Sequence, residues 1–284
     1  MRVDSSTLCA WLFAFHEEGI VSTVLYEKKN RLVIITINRP AVMNCIDPKT
    51  DKKLAEAWNQ FKDDDGAFVA VITAAGDQAF CSGADLRAWP PFMTKKDAGF
   101  HRRRAYDGPG FGGLTRGIDL FKPVLAAVNG NCFAGGLEIA LAADMRIAAE
   151  HAEFGCLERR WNVGLGDGGT QRLWRVVGLG RAMELILTGK RVGTPEALAM
   201  GLINEVVPRG KALERCLELG ERLCQFPQGA IRTDKEAVLR GIGEPLTEGL
   251  RIEAMLFNSL IGTRDFSEGP AAFVEKRKPQ WRND

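Results

Sequence analysis

The sequence of 284 residues predicts an α/β fold that ends in an all-helical C-terminal part. Three observations predict it. Short runs at 68–73 and 123–128, apolar but for Thr73, are of the kind buried on both faces of a parallel sheet. Segments with apolar residues at helical spacing alternate with such runs, as β/α folds require. Beyond residues 203–207 the strand pattern stops, and helical periodicity continues to Arg277.

The elements follow in order. Residues 23–26 and 31–37 are β-branched runs joined by the polar residues 27–30, a hairpin. Pro40 stops the second of them. Asp47 and Pro48 open a helix that carries Leu54, Trp58 and Phe61 on one face. Residues 68–73 form a buried strand. Residues 87–117 mix charges with glycines and prolines, and predict a helix and a mobile loop outside the core. A second buried strand covers 123–128, a helix of small residues starts at Gly135, and 145–148 is a strand again. Residues 170–177, 181–187 and 195–200 are helical before the short strand at 203–207. No internal repeat is present.

Composition narrows the class. Apolar residues make up 45% and charged residues 26%, which excludes a wholly disordered chain. The 38 basic residues nearly cancel the 36 acidic ones, so no whole-protein field would steer the chain to nucleic acid or an anionic membrane, and neither partner is expected. The seven cysteines are odd in number and include no C-x-x-C pair. That pattern argues against a disulfide framework or a zinc ribbon and fits a reducing, cytoplasmic location. His16, His101 and His151 stand in no ligand-spaced cluster, so no metal site is expected. No apolar run reaches the ~18 residues of a membrane span. Residues 1–20 read as an N-terminal arm, because their apolar segment lacks both a cationic flank and a cleavage site.

Three stretches carry candidate chemistry. Phe80-Cys81-Ser82-Gly83-Ala84-Asp85-Leu86 follows one buried strand. Asn129-Gly130-Asn131-Cys132-Phe133-Ala134-Gly135-Gly136-Leu137-Glu138 follows another and opens a helix. The third is Phe154-Gly155-Cys156-Leu157-Glu158, continued by Gly164-Leu165-Gly166-Asp167-Gly168-Gly169. Small residues at strand ends let a ligand approach the backbone, and a helix N-terminus leaves N–H groups without partners. Donors near Ala84 and Gly135 would together form an oxyanion hole. Glu138 and Glu158, brought into one apolar site, would suit paired acid–base work. Each feature taken alone also has a plain structural meaning: a glycine-rich turn packs, and a first-turn glutamate complements a helix dipole. The glycines at 164–169 follow no clear strand, which disfavours a dinucleotide loop. The absence of a G-x-S-x-G elbow, and of any Cys/His spacing, disfavours a hydrolase. The run Arg102-Arg103-Arg104 reads as a solvated helix face.

In their order and spacing these stretches resemble the enoyl-CoA hydratase/isomerase (crotonase) superfamily, from about residue 22 to the C-terminus. The resemblance rests on Ile37-Asn38-Arg39-Pro40 with Asn44, FCSGADL, PVLAAVNGNCFAGGLEIALAADMRIA, AEFGCLE, GGTQRL, LTGKRV, AMGLINEVVP and EGPAAFVEKRKPQW. It implies a crotonase-like spiral of β-β-α turns over residues 21–208 and a helical trimerisation subdomain over 209–284. It further implies an acyl-CoA thioester substrate, no cofactor beyond the coenzyme A of that substrate, and a homotrimer or homohexamer. Matched motif to motif, the oxyanion donors fall at Ala84 and Gly135. Glu138 would activate water for attack at C3, Glu158 would exchange the proton at C2, and the Gly166 N–H would help place the water. Ser82, Gly83, Ala84, Asp85, Leu86 and Arg87 would hold the substrate, with Phe257 and Lys276 at its CoA end. The implied reaction is hydration of a 2-enoyl-CoA. The alternatives are double-bond isomerisation, or thioester binding without efficient catalysis. The sequence departs from the family pattern at Ala134, Leu157, Asp167 and Arg159-Arg160-Trp161. The last three would either reshape the acyl pocket or form a structural salt-bridge cluster, the second being the favoured role.

Overall fold

The structure is a computed structural model, and it describes residues 22–283. The arm expected over residues 1–20 lies outside the described residues. Ten strands form two sheets. The larger contains β1 (Val24–Lys29), β2 (Leu32–Ile37), β3 (Val69–Ala74), β5 (Val124–Val128), β7 (Met145–Ala149) and β10 (Glu205–Val207), in that spatial order. Within this sheet, among the described residues, only β1 runs antiparallel to its neighbour. The smaller sheet contains β4 (Ala79–Cys81), β6 (Asn131–Phe133), β8 (Glu153–Gly155) and β9 (Val192–Gly193). Each of β3, β5 and β7 is followed at once by a short strand of the smaller sheet. The chain therefore climbs as a spiral of β-β-α turns, the expected architecture.

The helices are α1 (Pro48–Asp63), α2 (Trp89–Met93), α3 (Ala98–Tyr106), α4 (Gly135–Ala142), α5 (Gly169–Val177), α6 (Leu179–Thr188), α7 (Thr194–Ala199), α8 (Ala212–Leu223), α9 (Gln228–Gly241), α10 (Leu246–Leu260) and α11 (Arg264–Val274). The start of α1 follows from local chemistry. The Asp47 carboxylate accepts the Thr50 N–H at 2.7 Å, and Pro48 occupies the first turn, where no N–H is needed.

The apolar strands are sandwiched, which is why their sequences lack alternation. Ala70, Ile72, Ala126 and Val128 face the main core with Trp58, Phe61, Phe80 and Phe154. Val69, Val71, Leu125 and Ala127 face the opposite way, against Ala212 and Cys216 of α8. That helix, which the boundary at residue 208 assigns to the tail, covers the outer face of the large sheet. The helices α9 and α10 pack on each other, and no side chain of α10 is buried.

The structure corrects the sequence reading in three places. The hairpin turn is tighter than expected, because β1 continues through Lys29 and Asn30 turns the chain at φ 54°. The four strands of the smaller sheet are two or three residues long, too short to show a period. Residues 111–115, expected in a mobile loop, belong to the core. Gly112 N–H donates to Asp51 at 2.7 Å, Trp58 Nε1 donates to the Gly112 carbonyl at 3.0 Å, and Phe111 is buried. The buried carboxylate of Asp51 is matched by Arg104 at 3.3 Å.

Candidate active site

The site lies where two spiral turns leave their strands. After β4 the chain passes through Gly83, at φ +97°, and forms a parallel bridge with Ile46. In that bridge Ile46 N–H donates to Gly83 O, and Asp85 N–H donates to Ile46 O, each at 2.9 Å. The N–H of the intervening Ala84 consequently faces away from Ile46. After β6, α4 begins at Gly135, whose N–H is among those an α-helix leaves without an internal acceptor. A Cβ placed on Gly83 would stand 3.1 Å from the Gly135 nitrogen, so the two loops are in direct contact. Among the described residues, neither the Ala84 nor the Gly135 N–H meets a protein acceptor. Both residues line a cavity of about 280 Å³.

Glu138 stands in the first turn of α4 and is 4% exposed. The helix is apolar around nearly its whole circumference and is buried accordingly. Oε1 of Glu138 accepts the Asp167 N–H at 2.9 Å and the Gly169 N–H at 2.8 Å. The glycine-rich stretch at 164–169 thus wraps a carboxylate of its own chain. Glu158 lies in the single 3-10 turn Leu157–Trp161 that follows β8 and is also buried. Among the described residues, neither of its carboxylate oxygens has a hydrogen-bond partner. Both glutamates line the same cavity.

Burial dominates the electrostatics. It pushes Glu138 up to about 7, against the pull of its two N–H donors, with smaller upward pushes from the charges of Asp167 and Glu158. Burial also raises Glu158, against a weaker downward pull that includes Arg159. The pair differs in hydrogen bonding. Donors that favour the ionised form reach Glu138, whereas Glu158 has none from another residue.

The remaining expected residues divide. Ser82, Leu86 and Gly166 line the cavity, and Gly166 has open space where a side chain would stand. Gly83 is buried and is not part of the cavity lining. Asp85 pairs with Arg39 at 3.1 Å, an arginine that also meets Asp47 at 3.2 Å, so its carboxylate ties loops together. Arg87 is exposed. Phe257 and Lys276 lie apart from the glutamates: Phe257 packs edge-on to Phe266 and lines a groove between α9 and α10, and Lys276 is exposed on the tail.

The cavity wall also contains Phe111, Phe133, Leu157, Trp161 and Val163. Phe111 was missed because it falls in a stretch that reads as loop. Trp161 stands at the cavity and not in the ion-pair cluster that was the favoured of its two expected roles. It lines the cavity mouth and is largely exposed, and neither Arg159 nor Arg160 pairs with a carboxylate among the described residues. Among those residues, too, no group of three or more His, Cys, Asp or Glu side chains is placed to hold a metal, and no helix is long and apolar enough to cross a membrane.

Ala134 is strained. It precedes α4 at φ 51°, ψ −126°, a region that favours glycine. Such a conformation costs ~1–3 kcal/mol, partly offset in the unfolded chain, where glycine loses ~0.4–1 kcal/mol more freedom. Ala134→Gly is expected to stabilise the fold by about 1 kcal/mol, raising Tm by ~2–4 °C in calorimetry. A lower Tm would show that the alanine is relaxed.

A cavity with two unpaired backbone donors and two buried carboxylates, on a β-β-α spiral, defines a class: enzymes suited to stabilise a developing oxyanion and to move protons. The family model for enoyl-CoA hydratase/isomerase matches residues 27–284, and the chain belongs to that family. It is 39% identical over 261 residues to a probable enoyl-CoA hydratase of Rhizobium meliloti (strain 1021), covering 92% of this chain and 98% of the relative. It is 35% identical over 259 residues to the (E)-benzylidenesuccinyl-CoA hydratase of Thauera aromatica, covering 91% and 98%. Among solved structures, an enoyl-CoA hydratase from Bacillus anthracis superposes with a TM-score of 0.82 at 34% identity, covering 93% of this chain and all of the other.

Proposed function

We propose that this enzyme adds water across the 2,3 double bond of a 2-enoyl-CoA. The observation that carries the proposal is the presence of both glutamates and both unpaired N–H groups in one cavity. The thioester carbonyl oxygen lies between the N–H groups of Ala84 and Gly135. Water attacks C3 while Glu138 takes its proton. The electron pair of the double bond shifts onto the carbonyl oxygen, where the two donors hold the developing charge. As the thioester re-forms, C2 takes a proton from Glu158. Gly166 borders the space where the water sits, and its N–H helps to hold it. Ser82, Leu86 and the backbone around Gly83 border the thioester, while Phe133, Trp161 and Val163 form the acyl side.

Asp85 and Arg87 lie on the CoA side of the same loop, outside the cavity itself. Phe257 and Lys276 reach the CoA from the tail, most directly the tail of a neighbouring subunit. The unburied α10 supports assembly: Leu246, Leu250, Met255 and Phe257 are all more than half exposed in the isolated chain. A face of that kind calls for a partner, and a second copy of the chain is the simplest one. The tail from α9 onward is the assembly element, giving a homotrimer or homohexamer. Light scattering at micromolar concentration should show it, and a monomer would overturn it. The enzyme acts in the cytoplasm on acyl-CoA intermediates such as those of fatty acid breakdown, and it needs no added cofactor.

The experiment that tests the proposal is the absorbance of the conjugated thioester of crotonyl-CoA and longer enoyl-CoAs. Its loss, with the 3-hydroxyacyl product identified by mass, is the expected result. A double-bond shift without hydration would assign isomerisation instead. Binding with no change in the substrate would assign a thioester-binding protein.

A further inference from the structure

Asp167 lines the cavity without an assigned task, and its contacts point in two directions. Its main-chain N–H donates to Glu138 Oε1 at 2.9 Å. Its side-chain Oδ1 accepts from the Phe111 N–H at 3.0 Å, from Thr115 Oγ1 at 3.3 Å and from the Arg116 guanidinium at 2.7 Å. Arg172 closes the arrangement from behind, donating to the Asp167 carbonyl at 3.3 Å and to the Thr115 carbonyl at 2.8 Å.

What Phe111 touches makes this arrangement functional. A Cβ on Gly135 would stand 2.5 Å from Cε1 of Phe111, so the ring lies flush against the residue that supplies one oxyanion donor. The consecutive N–H groups of Phe111 and Gly112 end on two different carboxylates, Asp167 and Asp51. The turn that presents the ring is thereby fixed from both sides. One aspartate links the loop that grips Glu138 to the wall beside Gly135.

We propose that Asp167 is a positioning residue for hydration, keeping the Glu138 carboxylate and the Phe111 wall of the oxyanion hole in register with each other. The proposal rests on Glu138 being the base that activates water. Asp167 transfers no proton and touches no reacting atom in this role. A misplacement of the reacting groups by ~1 Å costs on the order of 10²-fold in rate, so loss of the link acts on kcat. CoA binding is made elsewhere in the loop after β4, so KM changes little.

The test is a double-mutant cycle on crotonyl-CoA hydration, with kcat and KM measured separately. Asp167→Ala is expected to lower kcat ~10–10²-fold at nearly constant KM. Asp167→Asn keeps an acceptor for the Phe111 N–H but loses the charge facing Arg116, and should fall in between. In a Glu138→Gln background, where no base remains to be positioned, Asp167→Ala should cost less than ~3-fold more. The same fold loss in both backgrounds would overturn the proposal, as would parent kcat in Asp167→Ala. Should Asp167→Ala fail to fold, Asp167→Asn and Arg116→Gln supply the same cycle, and parent kcat in both variants overturns the proposal equally. Failure of the underlying assignment has a different signature: Glu138→Gln alone would then retain the parent rate.

Discussion

Glu138→Gln and Glu158→Gln should each lower kcat for hydration by at least ~10², the usual scale of a positioned acid or base. Glutamine keeps the size of the side chain, and its amide oxygen can still accept the N–H groups of Asp167 and Gly169, so the loss is one of proton transfer. Circular dichroism should be unchanged. Because both carboxyls act on one water and one substrate, the double variant should lose far less than the product of the single losses. The pH dependence follows from the site. Burial holds Glu138 at about 7, so it is neutral and unable to act as a base below that pH, and ionised above it. The acidic limb of kcat/KM should therefore rise with pH through about 7 and vanish in Glu138→Gln. An acidic limb near the ordinary carboxylate range would mean that the base is an exposed group elsewhere. Parent activity in both single variants would remove the glutamates from the mechanism altogether.

The second large effect concerns a backbone atom. Ala84→Pro deletes the N–H assigned to the oxyanion and should lower kcat by ~10²–10³, the cost of losing one donor in a comparable hole. The bridge to Ile46 uses the Gly83 carbonyl and the Asp85 N–H, so the hydrogen bonds that hold the loop survive the substitution. Ala84→Ser changes the side chain but keeps the donor, and should stay within a few-fold of the parent. A folded proline variant at the parent rate would place the oxyanion elsewhere. Equal losses in the proline and serine variants would show that the side chain is what matters.

The sequence by itself determined a good deal. The runs at 68–73 and 123–128 are apolar but for Thr73 because β3 and β5 bury both faces, and that composition is readable without coordinates. Asp47-Pro48 marks a helix start through its own short-range hydrogen bond. The glutamates and the loops around Ala84 and Gly135 stand out only in combination, because a glycine-rich turn or a first-turn glutamate taken alone also serves packing or the helix dipole. The matching motif order supplied the family.

Only the tertiary structure decided the rest. The strands of the smaller sheet are too short to carry a period, and partners distant in the chain determine them. Residues 111–115 read as loop because glycine-rich composition signals irregular backbone, not exposure. They are buried because Asp51 and Asp167, on other elements, take their N–H groups. Trp161 beside two arginines allowed either an ion-pair cluster or a place at the pocket, and only the 3-10 turn after β8, which sets Trp161 at the cavity, decides between them. Asp167 showed in sequence only as a departure from a pattern. Its meaning lies in contacts with Phe111, Thr115 and Arg116, more than fifty positions away. Local sequence encodes hydrogen bonds and burial patterns that close within a few residues. Contacts that close across the spiral depend on where the chain returns, and folding alone settles that.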